Sequence, residues 1–238
     1  CVVFHAARIR PSFVAGAWEW PGICRSLILQ DGAVSDIMST RKIPAGGAYR
    51  AADTEPTALE RKIMAKLYFK YGAMGSSKTA QALITKYNYE ENELKVWLIK
   101  PSADVRDGEG ILRSRIGLEA SVEIMAPSDD IYARFRDQQR GHCDVIIVDE
   151  CQFLEPEQVD QLRAIVDDFN LPVICFGLRT DFLCHLFAGS RRLMEVADSI
   201  LEIKTICDCG AKATVNARVD GTGYIVTQGQ QLLLGGND

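Results

Sequence analysis

A chain of 238 residues is long enough for one substantial core with an appendage, and 47% hydrophobic with 25% charged residues is the composition of a globular protein in water. The net charge of −5 argues against broad nucleic-acid binding, and no apolar run is long enough to cross a bilayer. Eight cysteines without a secretory leader point to a reducing, cytoplasmic compartment rather than a disulfide framework.

Residues 1–63 show no sustained helical or strand period, and are set apart as an N-terminal extension. Met64 opens a strongly patterned segment and is the expected natural start. From there strands and helices alternate. "KLYFKY" (66–71) predicts a strand, "SKTAQALITKYNYEE" (77–91) a helix and "KVWLIK" (95–100) the next strand. A polar loop, "PSADVRDGEG", precedes a short strand around "SVEIM" (121–125) and a helix over 129–140. "CDVIIVDE" (143–150) has the near-continuous apolar content of a strand buried on both faces. "EPEQVDQLRAIVDDF" (155–169) is an amphipathic helix, with Val159, Leu162, Ile165 and Val166 on one side. Then come a strand in "PVICFGL", a helix in "HLFAGSRRLMEVA" and a strand in "SILEIK". The expected fold is therefore α/β, a parallel sheet with helices on both faces over residues 64–204, with ligands at the carboxyl ends of the strands. Cys143, Cys151 and Cys175 lie in or beside apolar runs and are expected as core thiols. Residues 205–238 contain only short strand-like pieces between "DGTG" and "GG" turns, a small appended β element.

Between the first strand and helix, "GAMGSSKT" (Gly72, Ala73, Met74, Gly75, Ser76, Ser77, Lys78, Thr79) fits the phosphate-binding P-loop except at one place. In that motif backbone N–H groups and a helix N-terminus cradle the phosphates, lysine reaches the β and γ phosphates, and the hydroxyl ligates Mg²⁺. Ser77 stands where a glycine is usual, tolerable if its backbone stays in a common region. Asp149 and Glu150 end an apolar strand, where a Mg²⁺-organising carboxylate is needed. Neighbours on a strand point opposite ways, so Asp149 is assigned to the Mg²⁺ shell and Glu150 to the nucleophile. Glu150 could orient water, as in an ATPase, or accept a substrate proton, as in a kinase. The residues alone leave both open.

Three stretches, "MAKLYFKYGAMGSSKT", "IIVDECQF" and "CFGLRTDFLCHLFAGSRRLMEVAD", followed by "KTICDCGAKAT" and "LLLGGND", occur in that order. Over residues 64–238 they resemble the thymidine kinases of the bacterial and animal cytosolic type, a P-loop core with a zinc-bearing lasso domain. The resemblance implies ATP- and Mg²⁺-dependent phosphorylation of the 5′-hydroxyl of thymidine or deoxyuridine. It implies that Gly72 to Thr79 bind the nucleotide together with Asp149, Glu150, Cys151 and Gln152, that Thr79 and Asp149 organise Mg²⁺, and that Glu150 is the general base. It further assigns Met74 to the thymine methyl group, and Phe153, Leu178, Phe182 and Phe187 to the nucleoside pocket. Residues of "LLLGGND" would grip the base through their backbone, Gln231 and Leu233 being free to vary. Arg106 and Arg115 are candidates for a phosphate-facing cover. Cys207 and Cys209 match the first half of a structural Zn²⁺ site, while the second pair of ligands would follow beyond Asp238; two thiolates do not close a tetrahedral site. A small-molecule nucleoside partner, no nucleic acid, no membrane, and a homo-tetramer complete the expectations.

Overall fold

The structure, a computed structural model, describes residues 2–4, 64–104, 110–222 and 224–229. In chain order the strands are β1 (Val2–Phe4), β2 (Leu67–Tyr71), β3 (Val96–Pro101), β4 (Ile111–Arg113), β5 (Glu119–Ser121), β6 (Glu123–Met125), β7 (Val145–Val148), β8 (Val173–Gly177), β9 (Ser199–Glu202), β10 (Thr205–Ile206), β11 (Lys212–Ala213) and β12 (Val215–Ala217). The helices are α1 (Lys78–Glu91), α2 (Ile131–Arg134), α3 (Pro156–Phe169) and α4 (Ala188–Val196). Six strands form one sheet in the order β6-β3-β7-β8-β2-β9, and every adjacent pair is parallel. The expected α/β class and parallel sheet are thus what the chain adopts.

Strand periodicity explains why this sheet is covered twice. Leu67, Phe69, Trp97, Ile99, Ile146, Val148, Val173 and Cys175 point to one face, where they meet Val159, Leu162, Ile165 and Val166 of α3 and Leu193 of α4. The alternate residues Leu98, Val145, Ile147, Ile174 and Phe176 point to the other and meet Ala82 and Leu83 of α1. All four residues of β7 have no exposure at all. Charge is costly along such a strand, and Asp149 and Glu150 stand just past the end of β7. Helix α3 starts where its sequence says it should: Pro156 occupies the first turn, and Glu155 and Gln158 form a reciprocal capping box. Asn170, in the left-handed region at φ 51, ends it.

Three features differ from the sequence expectation. The 129–140 helix has α geometry only over α2 and widens to a π-turn across Phe135–Gln139, keeping Ile131 and Phe135 buried. The stretch around 121–125 is divided: β5 pairs antiparallel with β4 as a hairpin, while β6 joins the main sheet beside β3. The hairpin has too few residues for alternation to be legible. Val2–Phe4, within the stretch lacking a strand period, pairs antiparallel with β12.

The turn after β7 sits tightly against two glycines. A Cβ on Gly189, in the first turn of α4, would lie 2.6 Å from the Cys151 carbonyl and 2.7 Å from that of Leu154. Both are backbone atoms with little freedom to retreat. Gly189→Ala is expected to cost ~1–3 kcal/mol, read as a lower urea midpoint at unchanged slope.

Candidate active site

Loop 72–77 joins β2 to α1 at the carboxyl edge of the sheet. Its start is pinned by Gly72 N–H donating to Gly177 O at 3.2 Å, and a Cβ on Gly72 would strike Ser76 Oγ at 2.4 Å and Ile203 O at 2.6 Å. The Ser76 N–H donates to Ala73 O at 3.2 Å, which folds the loop back on itself. The Lys78 ammonium, largely buried, donates to Gly72 O at 3.1 Å and Ala73 O at 2.9 Å. Ser77 precedes α1 without a side-chain capping bond, so the first-turn amides of this 14-residue helix open toward the loop. Ser77 does not stay in a common backbone region: at φ 59 and ψ 32 it takes the left-handed conformation a glycine would adopt freely. Ser77→Gly should therefore raise stability by ~0.5–1 kcal/mol, measured by urea denaturation; an unchanged or lower stability would mean the strain is relieved elsewhere.

Across the cradle stands Asp149. Its N–H donates to Ile99 O at 3.1 Å, which fixes it one residue past β7 beside Lys100, and its Oδ2 accepts from Thr79 Oγ1 at 2.7 Å. Asp149 is 1% exposed, and its Oδ1 is buried without a hydrogen-bond partner. Burial first, and the neighbouring charge of Glu150 second, push its carboxyl up to about 7. A hydroxyl and an orphaned carboxylate oxygen at the mouth of a phosphate cradle are the donor set that suits a hard dication such as Mg²⁺.

Asp149 and Glu150 have different partners, Thr79 and Gln152, and strand alternation does not account for it, because the chain has already left β7. Glu150 takes a left-handed backbone at φ 50 and ψ 36, a conformation that costs a non-glycine residue ~1–2 kcal/mol and clusters at functional sites. Gln152, 2% exposed, donates from Nε2 to Glu150 Oε2 at 2.5 Å while its Oε1 accepts from Leu178 N–H at 2.9 Å. One amide thus holds both the carboxylate and the start of the loop after β8. Cys151 turns the other way, fully buried in the core against the Cys175 thiol, and burial pushes its pKa well up. Any nucleotide contact from Cys151 is left to its backbone.

Leu178, Phe153 and Phe187, three of the four apolar pocket candidates, adjoin Gln152 or one another. Phe153 and Phe187 meet edge to face at 5.7 Å between ring centroids. Leu178 is half-buried, bonded through its N–H to Gln152 and through its carbonyl to Ser190 Oγ. Phe182 lies under the Arg218 guanidinium, 3.9 Å from the ring centroid. Met74 is half-buried, its N–H donating to Asn216 Oδ1 at 2.8 Å. Arg115 is exposed, and Arg106, Gln231, Leu233 and the rest of "LLLGGND" lie outside the described residues.

Cys207 is buried and Cys209 exposed, in a turn closed by Cys207 N–H to Ala211 O at 2.8 Å. Among the described residues no three His, Cys, Asp or Glu side chains come together as a metal site, so the donors described do not fit a closed Zn²⁺ centre. Lys100 and Asp104 form a buried pair that the motifs do not single out. Lys100 has no exposure, and its Nζ reaches Ile111 O at 3.3 Å and Asp104 Oδ2 at 3.8 Å. The available signal was a lysine inside the apolar run "WLIKP" with an aspartate four residues on.

A parallel sheet in which β8 alone separates the cradle strand β2 from the carboxylate strand β7, with Thr79 bonded to Asp149 across the gap, makes this a P-loop protein of the α/β class. Within that class the chain belongs to the thymidine kinase family, whose model matches residues 65–238. It is 43% identical over 176 residues to a thymidine kinase of Shewanella oneidensis, covering 74% of this chain and 92% of that one. It is 44% identical over 176 residues to one of Ruegeria pomeroyi (74% and 89% covered), and 45% over 175 residues to one of Mesorhizobium japonicum (72% and 85%). Among solved structures, an ATPase domain superposes at a TM-score of 0.38 and 14% identity over 58% of this chain and 68% of that one, too partial a likeness to add to the fold above. No described helix is long and apolar enough to cross a membrane.

Protonation of Asp149 differs between the folded and unfolded chain. Its folded pKa, about 7, lies above the ordinary 3.8, so the stability gained by holding a proton is complete below the unfolded value and is lost as pH rises through the folded one. Without divalent metal, Asp149→Asn is expected to raise the thermal midpoint at pH 8 by at least ~2 °C, and by less at pH 5. An equal change at both pH values would contradict a buried, titrating carboxyl.

Proposed function

We propose that the chain transfers the γ-phosphoryl group of ATP to the 5′-hydroxyl of thymidine, and to that of deoxyuridine, giving the nucleoside monophosphate and ADP. The observation that carries this reading is the pairing of Thr79 with a buried, half-satisfied Asp149 beside a left-handed Glu150, in a chain of the thymidine kinase family.

In this reading the amides of Gly75 and of Ser77 to Thr79 take the phosphate oxygens, and the Lys78 ammonium exchanges its loop carbonyls for the β and γ phosphates. Thr79 and Asp149 would hold Mg²⁺, which when bound neutralises charge on the β and γ phosphates. The Glu150 carboxylate, steadied by the Gln152 amide, accepts the 5′-hydroxyl proton as the new O–P bond forms and the bond to the β-phosphate oxygen breaks. That proton then passes to solvent. Met74, Phe153, Leu178, Phe182 and Phe187 shape an apolar nucleoside pocket that excludes water, so that ATP is spared hydrolysis. The zinc-type cysteines have no part in the transfer.

Incubation of the purified chain with Mg·ATP, with and without thymidine, is expected to yield thymidine monophosphate and ADP in equal amounts and only with thymidine. ADP formed without thymidine would instead identify an ATPase. Glu150→Gln should lower turnover by ~10²–10⁴-fold while leaving nucleotide affinity close to wild type; unchanged turnover would remove Glu150 from the role of base.

A further inference from the structure

The C-terminal β element reaches into the cradle with two side chains. Thr205 Oγ1, at the start of β10, donates to Gly75 O at 3.2 Å, and Asn216 Oδ1, in β12, accepts from Met74 N–H at 2.8 Å. Neighbouring cradle residues are therefore gripped from outside the nucleotide-binding core. Asn216 also extends its amide to Thr180 O at 3.4 Å, in the loop that carries Leu178 and Phe182. Two residues on, Arg218 lies over the Phe182 ring.

The pattern of β12 is not that of a strand packed for stability alone. Thr214, Asn216 and Arg218, in and beside β12, alternate along the chain and meet the cradle or the loop after β8. Thr214 lines the same small cleft as Asn216, beside Gly72 and Thr180, and its hydroxyl is buried without a hydrogen-bond partner. Burying an asparagine to 5% exposure is costly unless its amide is satisfied, and Asn216 is satisfied by one backbone group of each half of the site. Its two bonds can both be kept only while the cradle and the loop hold their mutual distance.

We propose that Asn216 is a positioning residue that couples the two substrates: by tying Met74 of the phosphate cradle to Thr180 of the nucleoside loop, it sets the spacing between the donor phosphate and the acceptor hydroxyl. The inference rests on the phosphotransfer reading above and extends it to how binding of one substrate prepares the site for the other. Ordering of the cradle by nucleotide fixes Met74, Met74 fixes Asn216, and Asn216 fixes Thr180. By thermodynamic reciprocity the nucleoside must favour nucleotide binding by the same factor.

The test uses the full chain, Mg²⁺ with β,γ-methylene-ATP as nucleotide probe, and thymidine. In the wild type each ligand is expected to tighten the other by at least ~5-fold. Asn216→Leu removes both bonds; Asn216→Asp keeps the acceptor for Met74 N–H and removes the donor to Thr180. In both variants each ligand alone should bind close to wild type, the coupling factor should fall toward unity, and kcat should fall ~10–100-fold. Thermal midpoints are recorded alongside, and the aspartate variant serves if the leucine variant does not fold. A merely structural asparagine would change stability and single-ligand affinities together and leave the coupling factor intact. Retained coupling in both variants, or independent binding in the wild type, overturns the inference. A wild-type chain that makes no thymidine monophosphate overturns the functional reading and this inference with it, whereas product formation with coupling retained in the variants overturns this inference alone.

Discussion

The hydrogen bond from Thr79 to Asp149 is the contact on which the candidate site depends, because it joins the first turn of α1 to the chain just past β7. Asp149 follows four residues with no exposure and keeps one oxygen without a partner. An isolated carboxylate in that position costs several kcal/mol, offset only where a dication or proton arrives to share it. Both apolar faces of the sheet make that placement possible. They hold β2, β8 and β7 side by side, so that α1 and the end of β7 face each other across a single strand.

A second constraint is steric. The turn from Glu150 to Leu154 lies against Gly177 and Gly189, where any side chain would meet Gln152, Cys151 or Leu154 atoms at 2.7 Å or less. That close seat lets one buried amide, that of Gln152, reach both Glu150 and Leu178. The left-handed backbones of Ser77 and Glu150 belong to the same economy of space, since each turns a side chain or an amide row toward the cleft at a local conformational cost. Each of these two residues is flanked by buried neighbours, Ser76 and Lys78 at one and Asp149 and Cys151 at the other, which hold the strained backbone in place.

The segment after Lys204 forms part of the same unit of geometry. Its strands are only two or three residues long and bury little apolar surface, yet Thr205, Asn216 and Arg218 each contact the cradle or the loop after β8. Short strands of this kind gain much of their order from what they bond to. Here the bonded groups belong to the P-loop and to the loop after β8, so order in the appendage depends on order in those two loops.

The sequence by itself determined the sheet, the cradle and the carboxylate pair, because each is written in adjacent residues: alternation and run length for β7 and β8, spacing for Gly72 to Thr79, position at a strand end for Asp149 and Glu150. Residue order could also suggest Phe153 and Phe187 as neighbours through resemblance, although not the angle at which they meet. Only the tertiary structure decided what residues distant in sequence do to one another. Ser77 and Glu150 take left-handed angles, Gln152 joins Glu150 to Leu178, Lys100 is sealed beside Asp104, and Asn216 reaches Met74 from 142 positions away. Local periodicity fixes which face a side chain shows. The partner it finds there depends on how the whole sheet stacks its strands, and that is a property of the closed core rather than of any one segment.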